Sequence, residues 1–246
     1  MIPRSRIPLL ALAAAATLVG CAATPTGAPT GAATTAAAPT ATSSPSGPSD
    51  APGTVTCTYS VSGTPAKAVE PPDGQAVSAS GTATATLTLA GEPITITLDR
   101  TAAPCTVASF ESLAAQGYYD DTSCHRLVTE GIFVLQCGDP SGTGRGGPGY
   151  TFADELDSIP VNAQGYGEYA AGSLAMANAG PDTNGSQFFI VYADTVLAPS
   201  YTLFGHVDEA SLQVIRTIAE QGHDAARSAG DGAPNAPTDI TAVSVG

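Results

Sequence analysis

Tryptophan is absent from these 246 residues, lysine occurs once (Lys67), methionine twice and histidine three times. Only 12% of the chain is charged, and acids outnumber bases enough to give a net charge of −14. A nucleic-acid binder needs a basic footprint to release counterions from phosphates, and none is present, so no nucleic-acid partner is expected. The same deficit excludes docking on anionic lipid through surface charge. Also missing are a GxSxG elbow, an acidic pair in a recognisable frame, and any CxxC or HxxxH spacing. Nucleophilic hydrolysis, dithiol exchange and zinc binding lose their usual carriers, so neither metal nor cofactor is expected. What is abundant is glycine (27) and proline (20), which points to an unstructured portion rather than a second domain.

That portion lies at the start. Arg4 and Arg6 precede an apolar run over residues 7–19, broken only by Pro8 and Thr17. The run suits an export signal and falls short of the roughly 20 residues of a spanning helix. It ends in Leu18-Val19-Gly20-Cys21, which resembles the bacterial lipobox. That resemblance implies removal of residues 1–20, lipidation of Cys21, and an extracytoplasmic location on the cell membrane. Two or more acyl chains hold a protein there stably, whereas one does so marginally. Residues 22–56 are nearly all Ala, Thr, Pro, Gly and Ser. They bury too little apolar surface to offset ordering entropy, so a disordered tether reaching about 30–35 Å is expected. Residues 57–80 are indistinct, offering a short strand near residues 56–62 and a turn at Pro71-Pro72-Asp73-Gly74. The expected division is residues 1–20 as signal, 21–80 as lipidated cysteine and mostly disordered tether, and 81–246 as the folded domain.

Within that domain, residues 82–89 alternate, AGEP turns, and residues 94–98 alternate again, which predicts a hairpin. A helix is expected over 106–116, with Val107, Phe110, Leu113 and Ala114 on one face and Gly117 ending it. Residues 124–128 and 133–137 read as short strands. Residues 139–150 form a Gly-rich loop that lacks both a Walker lysine and a strand-to-helix context, so a nucleotide loop is rejected. Residues 172–193, GSLAMANAGPDTNGSQFFIVYA, read as a strand, a Gly/Asn-rich turn and a second, strongly β-prone strand. A strand at 202–207 leads to Asp208, which caps a helix over 209–220, with Leu212, Ile215 and Ile218 inward. A polar loop over 224–235 precedes a last strand at 239–245. Strands near both ends with two helices between them predict a closed antiparallel barrel without exposed edges. The four remaining cysteines, Cys57, Cys105, Cys124 and Cys137, invite disulfides in an exported chain and allow three connectivities. Paired strands would join Cys124 to Cys137 and leave Cys57 to Cys105.

The run MANAGPDTNGSQFFI is similar, almost letter for letter, to the signature of the cyclophilin family of peptidyl-prolyl cis-trans isomerases. Two further segments match in order: Cys124-His125-Arg126 stands where the family has Phe-His-Arg, and IFVLQCGD (residues 132–139) where it has a Gly-Phe-Met-x-Gln-Gly-Gly-Asp segment. The resemblance covers roughly residues 82–246. It implies a mainly β fold, a closed eight-stranded antiparallel barrel capped by two α-helices, and isomerisation of X-Pro bonds.

Such a reaction needs no acid–base pair. Its barrier, of order 20 kcal/mol, is amide resonance. Twisting the bond localises a lone pair on the proline nitrogen, and a fixed donor aimed there lowers the barrier. The resemblance assigns Arg126, Phe133 and Gln136 as catalytic. It assigns Val134, Ala177, Asn178, Gln187, Phe189, Leu197 and Tyr201 to the substrate groove. The expected partners are proline-containing segments of exported proteins, with the chain acting as a monomer. Residues 128–132 run one residue longer than the family usually has, which bears on Phe133. The family's groove tryptophan falls at or near Val196 and its groove histidine at Tyr201, so weak cyclosporin binding is expected. The alternatives are a non-catalytic peptide-binding or adhesion module on the same barrel, and a thiol oxidoreductase using Cys124 and Cys137, which lacks CxxC.

Overall fold

The computed structural model describes residues 52–246; the signal, Cys21 and the tether as far as residue 51 lie outside the described residues. In chain order come β1 (Thr54–Val55), β2 (Ser60–Val61), β3 (Val77–Ser78), β4 (Thr82–Leu89) and β5 (Glu92–Asp99). After α1 (Pro104–Ala115) follow β6 (Thr122–Ser123), β7 (Arg126–Val128), β8 (Val134–Cys137), β9 (Tyr150–Thr151) and β10 (Gly167–Tyr169). β11 (Ser173–Met176), β12 (Phe188–Val191), β13 (Thr195–Leu197), β14 (Leu203–Val207), α2 (Glu209–Glu220), β15 (Asp231–Gly232) and β16 (Asp239–Val245) complete it.

The β4–β5 hairpin forms because its apolar residues recur every second position. Ala83, Ala85, Leu87 and Leu89 are buried with Ile94, Ile96 and Leu98, while the intervening threonines face outward. Leu89 pairs with Glu92 across Ala90 and Gly91, at φ 52° and 85°. Two positive φ values in a two-residue loop give the turn whose twist matches a hairpin. α1 starts at Pro104, whose missing N–H costs nothing there. Its exposed amides are met from afar: the Glu155 carboxylate accepts from the Cys105 and Thr106 N–H groups at 3.0 and 2.9 Å. α2 is capped locally, with Asp208 accepting from the Ser211 N–H at 2.8 Å.

The main sheet runs β15-β7-β8-β12-β11-β14-β5-β4-β16-β6 with antiparallel pairings throughout. Its far end, β6, and its near strand, β7, are separated in sequence only by Cys124 and His125. The Cys124 N–H donates to Thr238 beside β16, and the His125 N–H donates to Gln136 in β8. One short segment thus pairs with both ends of the sheet, curling it round a core that includes Leu87, Ile96, Phe110, Phe188, Ile190 and Phe204. α1 and α2 pack against this curled sheet.

β12 is buried on both faces. Phe188 and Ile190 enter the main core, while Phe189 and Val191 join a second cluster with Val128, Val134, Ile159, Tyr169 and Ala175. That second cluster forms the floor of the site described below.

The expected domain boundary near residue 81 needs correction. Ordered structure begins by Thr54: β1 pairs with β3, and β2 pairs with β9. A disulfide joins Cys57 to Cys105 with Cα atoms 5.5 Å apart. Tyr59 stands edge-on to Tyr150 and Phe152, with ring centroids 5.6 and 5.5 Å away. Lys67 Nζ donates to the carbonyls of Gly117 and Asp120. One covalent link and one aromatic anchor supply the burial that this segment's small, polar composition conceals. Cys124, between β6 and β7, and Cys137, at the end of β8, form the second disulfide. Among the described residues, no helix is long and apolar enough to cross a membrane.

Candidate active site

β7, β8, β12 and β11 lie side by side, and their register aligns the matched motifs. Arg126 stands opposite Gln136, Gln136 opposite Phe189, and Phe189 opposite Ala175. A cavity of about 130 Å³ opens there, lined by Arg126, Ile132, Val134, Gln136, Ala177, Asn178, Phe189, Leu197 and Tyr201. Three stretches far apart in sequence therefore meet at one apolar pocket with a single cation at its edge. Phe189 and Tyr201 meet edge-on at 5.7 Å, and Tyr201 is pinned by its backbone, which exchanges hydrogen bonds with the Tyr169 hydroxyl.

Phe133 is not part of this pocket, contrary to the expectation. Side chains on a strand alternate between faces, so Ile132, Val134 and Gln136 share the pocket side. Phe133 points the other way, packing on the main core and meeting Tyr192 edge-on at 5.9 Å. Ile132 takes the place predicted for it. The extra length before β8 shifts the aromatic residue by one position, and one position reverses the face.

Arg126 is held on two sides. Its Nε–H and one Nη2–H donate to both oxygens of Asp231, at 2.8–3.1 Å, and one Nη1–H donates to Gln136 Oε1 at 3.1 Å. A guanidinium carries five N–H groups, so one on each terminal nitrogen remains free of these partners. Hydrogen bonding to Arg126 holds the Asp231 carboxyl below its usual range, against the opposing effect of burial. Asp231 was not marked by the sequence: it lies 105 residues from Arg126, in a polar loop with no motif of its own. Only the β15–β7 pairing brings it in.

From Gln136 the network continues. Its Nε2 donates to Gln187 Oε1 at 2.9 Å, and Gln187 Nε2 donates to the Gly146 carbonyl at 2.9 Å. Gln187 thus lies beside the pocket as a link rather than as part of its lining. The Asn178 side chain donates to the Ser200 carbonyl at 2.7 Å, and no backbone partner of Asn178 is present among the described residues. Ala177, by contrast, spends its N–H on the Gln187 carbonyl at 2.9 Å.

Val196, near the family's tryptophan position, is about half exposed and lies outside the pocket lining. His125 is buried beside Arg126. Burial pushes its ring below the usual imidazole range; Asp139 opposes this, while Arg227 and Arg126 add to it. Among the described residues, no group of three His, Cys, Asp or Glu could hold a metal.

A second cavity of about 590 Å³ adjoins the first and shares Gln136, Ala177 and Asn178 with it. Its far walls are the segment from Ser62 to Thr64 and the Gly-rich loop from Gly144 to Gly149. That loop is folded around Asp139, whose buried carboxylate accepts from the N–H groups of Ser141, Gly144, Arg145 and Gly146. Burial would raise the Asp139 pKa, but these bonds and the Ser141 hydroxyl outweigh it and hold it low. The loop serves as a wall rather than a phosphate cradle.

A family model described as cyclophilin type peptidyl-prolyl cis-trans isomerase/CLD matches residues 84–245. A probable peptidyl-prolyl cis-trans isomerase B of Mycobacterium leprae is 44% identical over 195 residues, covering 76% of this chain and 65% of that protein. A probable isomerase B of Mycobacterium tuberculosis is 50% identical over 146 residues, covering 57% and 47%. The chain thus spans from about half to just under two thirds of these curated relatives' length. The peptidyl-prolyl cis-trans isomerase A of Mycobacterium tuberculosis is 40% identical over 181 residues, which is 67% of this chain and 92% of that one. Among solved structures, a Cryptosporidium parvum cyclophilin-type isomerase superposes with a TM-score of 0.54 at 27% identity, over 68% of this chain and 98% of that one. The same protein crystallised in the presence of the dipeptide Ala-Pro gives a TM-score of 0.52 at 28% identity, over 66% and 98%. With the curled antiparallel sheet, the two helices and the matched segments meeting at one pocket, this chain belongs to the cyclophilin-type peptidyl-prolyl cis-trans isomerase family.

Proposed function

We propose that the chain is a peptidyl-prolyl cis-trans isomerase that acts on exported proteins by way of Arg126. The observation that carries this reading is the placement of one restrained guanidinium at the edge of an apolar cavity of about 130 Å³. The proline ring enters between Phe189, Val134, Leu197 and Ile132. The peptide backbone meets the main-chain groups of Asn178. As the X-Pro bond twists, nitrogen gains a lone pair, and a free N–H of Arg126 donates to it. Asp231 and Gln136 keep the guanidinium from following solvent, so little reorganisation accompanies the twist. The planar cis and trans forms offer no such lone pair, so the bond stabilises the transition state selectively.

The extracytoplasmic, membrane-anchored location belongs to the same proposal and rests on the sequence Leu18-Val19-Gly20-Cys21. Weak cyclosporin binding rests on Val196 replacing an indole outside the pocket. The test is turnover of an X-Pro peptide by wild type and Arg126→Ala. A fall in kcat/KM of about a hundredfold or more is expected, in the range seen when one transition-state donor is removed. Equal rates would reject the Arg126 mechanism, and no turnover by wild type would leave a peptide-binding module instead.

A further inference from the structure

Six lysines and arginines lie among the described residues, and four of them are already neutralised or satisfied. Arg100 pairs with Glu111 at 2.7 Å, Arg126 with Asp231 at 2.8 Å and Arg216 with Glu209 at 2.9 Å. Lys67 spends its ammonium on two carbonyls. Arg145 and Arg227 remain, with no side-chain hydrogen bond or ion pair among the described residues, in a chain of net charge −14, although Arg227 acts on the Asp231 carboxylate through its charge. Both lie by the Gly-rich loop, and of the two only Arg145 lines the second cavity. Arg145 is the one charged side chain lining the cavity of about 590 Å³. Arg227 Nη2 lies 3.1 Å from where a Gly144 Cβ would be, against the neighbouring residue of the same loop.

The wall that carries Arg145 is rigid. Asp139 binds the loop from beneath through the Gly144, Arg145 and Gly146 amides. From the other side the N-terminal segment clamps it: the Ser62 N–H donates to Gly149 at 2.8 Å and the Ala66 N–H to Gly147 at 2.9 Å. Asp139 is buried and enclosed by those amides, and it forms no ion pair with Arg145. The other lining residues are uncharged, with Tyr150, Gln136 and Gln187 the largest. An unpaired cation on the wall of a concave site, in a chain of net charge −14, focuses attraction on an anion brought to it.

We propose that Arg145 makes this second cavity selective for an acidic side chain close to the proline of the bound peptide. The proposal rests on the isomerase reading, because the cavity shares Gln136, Ala177 and Asn178 with the proline pocket. It names a substrate class: acidic-flanked X-Pro segments, favoured by a protein whose net charge would repel them.

The test is a peptide series in which Glu replaces Gln at each of the three positions on either side of an X-Pro bond. kcat/KM is measured for the full folded chain, for Arg145→Ala and for Arg145→Lys, at low and at physiological salt. In wild type, Glu at one or more positions raises kcat/KM over Gln by about two- to fivefold, as a partly exposed ion pair allows. The gain shrinks as salt rises. Arg145→Ala brings the Glu-to-Gln ratio close to one, and Arg145→Lys keeps part of it. Wild type that turns over the Gln peptides with no Glu gain at any position overturns this proposal and leaves the isomerase reading standing. A gain that survives Arg145→Ala overturns it too. Turnover of neither set removes the isomerase reading, and this subsite with it.

Discussion

In the proposed mechanism Arg126 is the residue on which the chemistry turns, and its neighbours decide how well it works. A guanidinium anchored by Asp231 and Gln136 keeps one N–H on each terminal nitrogen free of these partners. Asp231→Ala removes the charged anchor without touching the pocket, so kcat should fall about tenfold with KM little changed. The melting temperature should move little, which separates positioning from folding. The pH dependence follows from the sign of the shift. Asp231 titrates below the ordinary carboxylate value, so the pair is complete above that value and is lost as pH falls through the folded pKa. A kcat/KM profile flat from about pH 8 to pH 5 is expected, declining only in stronger acid; a fall centred near neutrality would contradict it. Ile132 and Phe133 give a paired test of the corrected register. Ile132→Ala should lower kcat/KM by enlarging the pocket. Phe133→Ala should instead cost about 1–3 kcal/mol of stability, because its ring packs on the core side. The opposite assignment of effects, read from kinetics and urea melts, would restore Phe133 to the pocket.

At the scale of elements, the N-terminal segment is held by its disulfide more than by its strands. β1, β2 and β3 are two residues each, too short to persist alone. Cys57–Cys105 closes a span of 48 residues, against 13 for Cys124–Cys137. In the chain-entropy account these are worth about 4 and about 3 kcal/mol. Replacing Cys57 and Cys105 together by serine should lower Tm by about 8–16 °C for a domain of this size. It should also open a protease-sensitive site near residues 57–66, detectable by limited digestion and mass spectrometry. A doubly substituted protein as resistant as wild type would show that Tyr59 and Lys67 hold the segment unaided. Gly138 is a second constraint of this kind: with φ 88° it turns the chain out of β8, and a Cβ there would collide with the Ser186 carbonyl.

For the whole molecule the deciding quantity is charge. A net charge of −14 spread over few basic residues makes the folded state repel itself. Added salt screens that repulsion, with a Debye length near 10 Å at 0.1 M. Calorimetry should therefore show Tm rising between 10 and 200 mM sodium chloride. A Tm that falls with salt would mean that the three ion pairs among the described residues outweigh the repulsion.

Local pattern was enough for the elements with strong periodicity. The β4–β5 hairpin, α2 with its Asp208 cap, and the paired strands around Asn178 could all be read from spacing, because a side chain's face follows from its position along one element. The motif residues Arg126, Gln136, Asn178 and Phe189 could be named from resemblance, and the fold brings them together. What the chain could not disclose was which residues would meet from different elements. Asp231 reaches Arg126 only through a two-residue strand pairing. The exchange of Phe133 for Ile132 depends on where β8 enters register, and a single step of register reverses every face. The wall from Ser62 to Thr64 exists because Cys57 is tied to Cys105, a choice among three connectivities that composition leaves open. Periodicity is a property of one segment, whereas a site is a property of several, so the sequence by itself decided the elements and the tertiary structure decided their company.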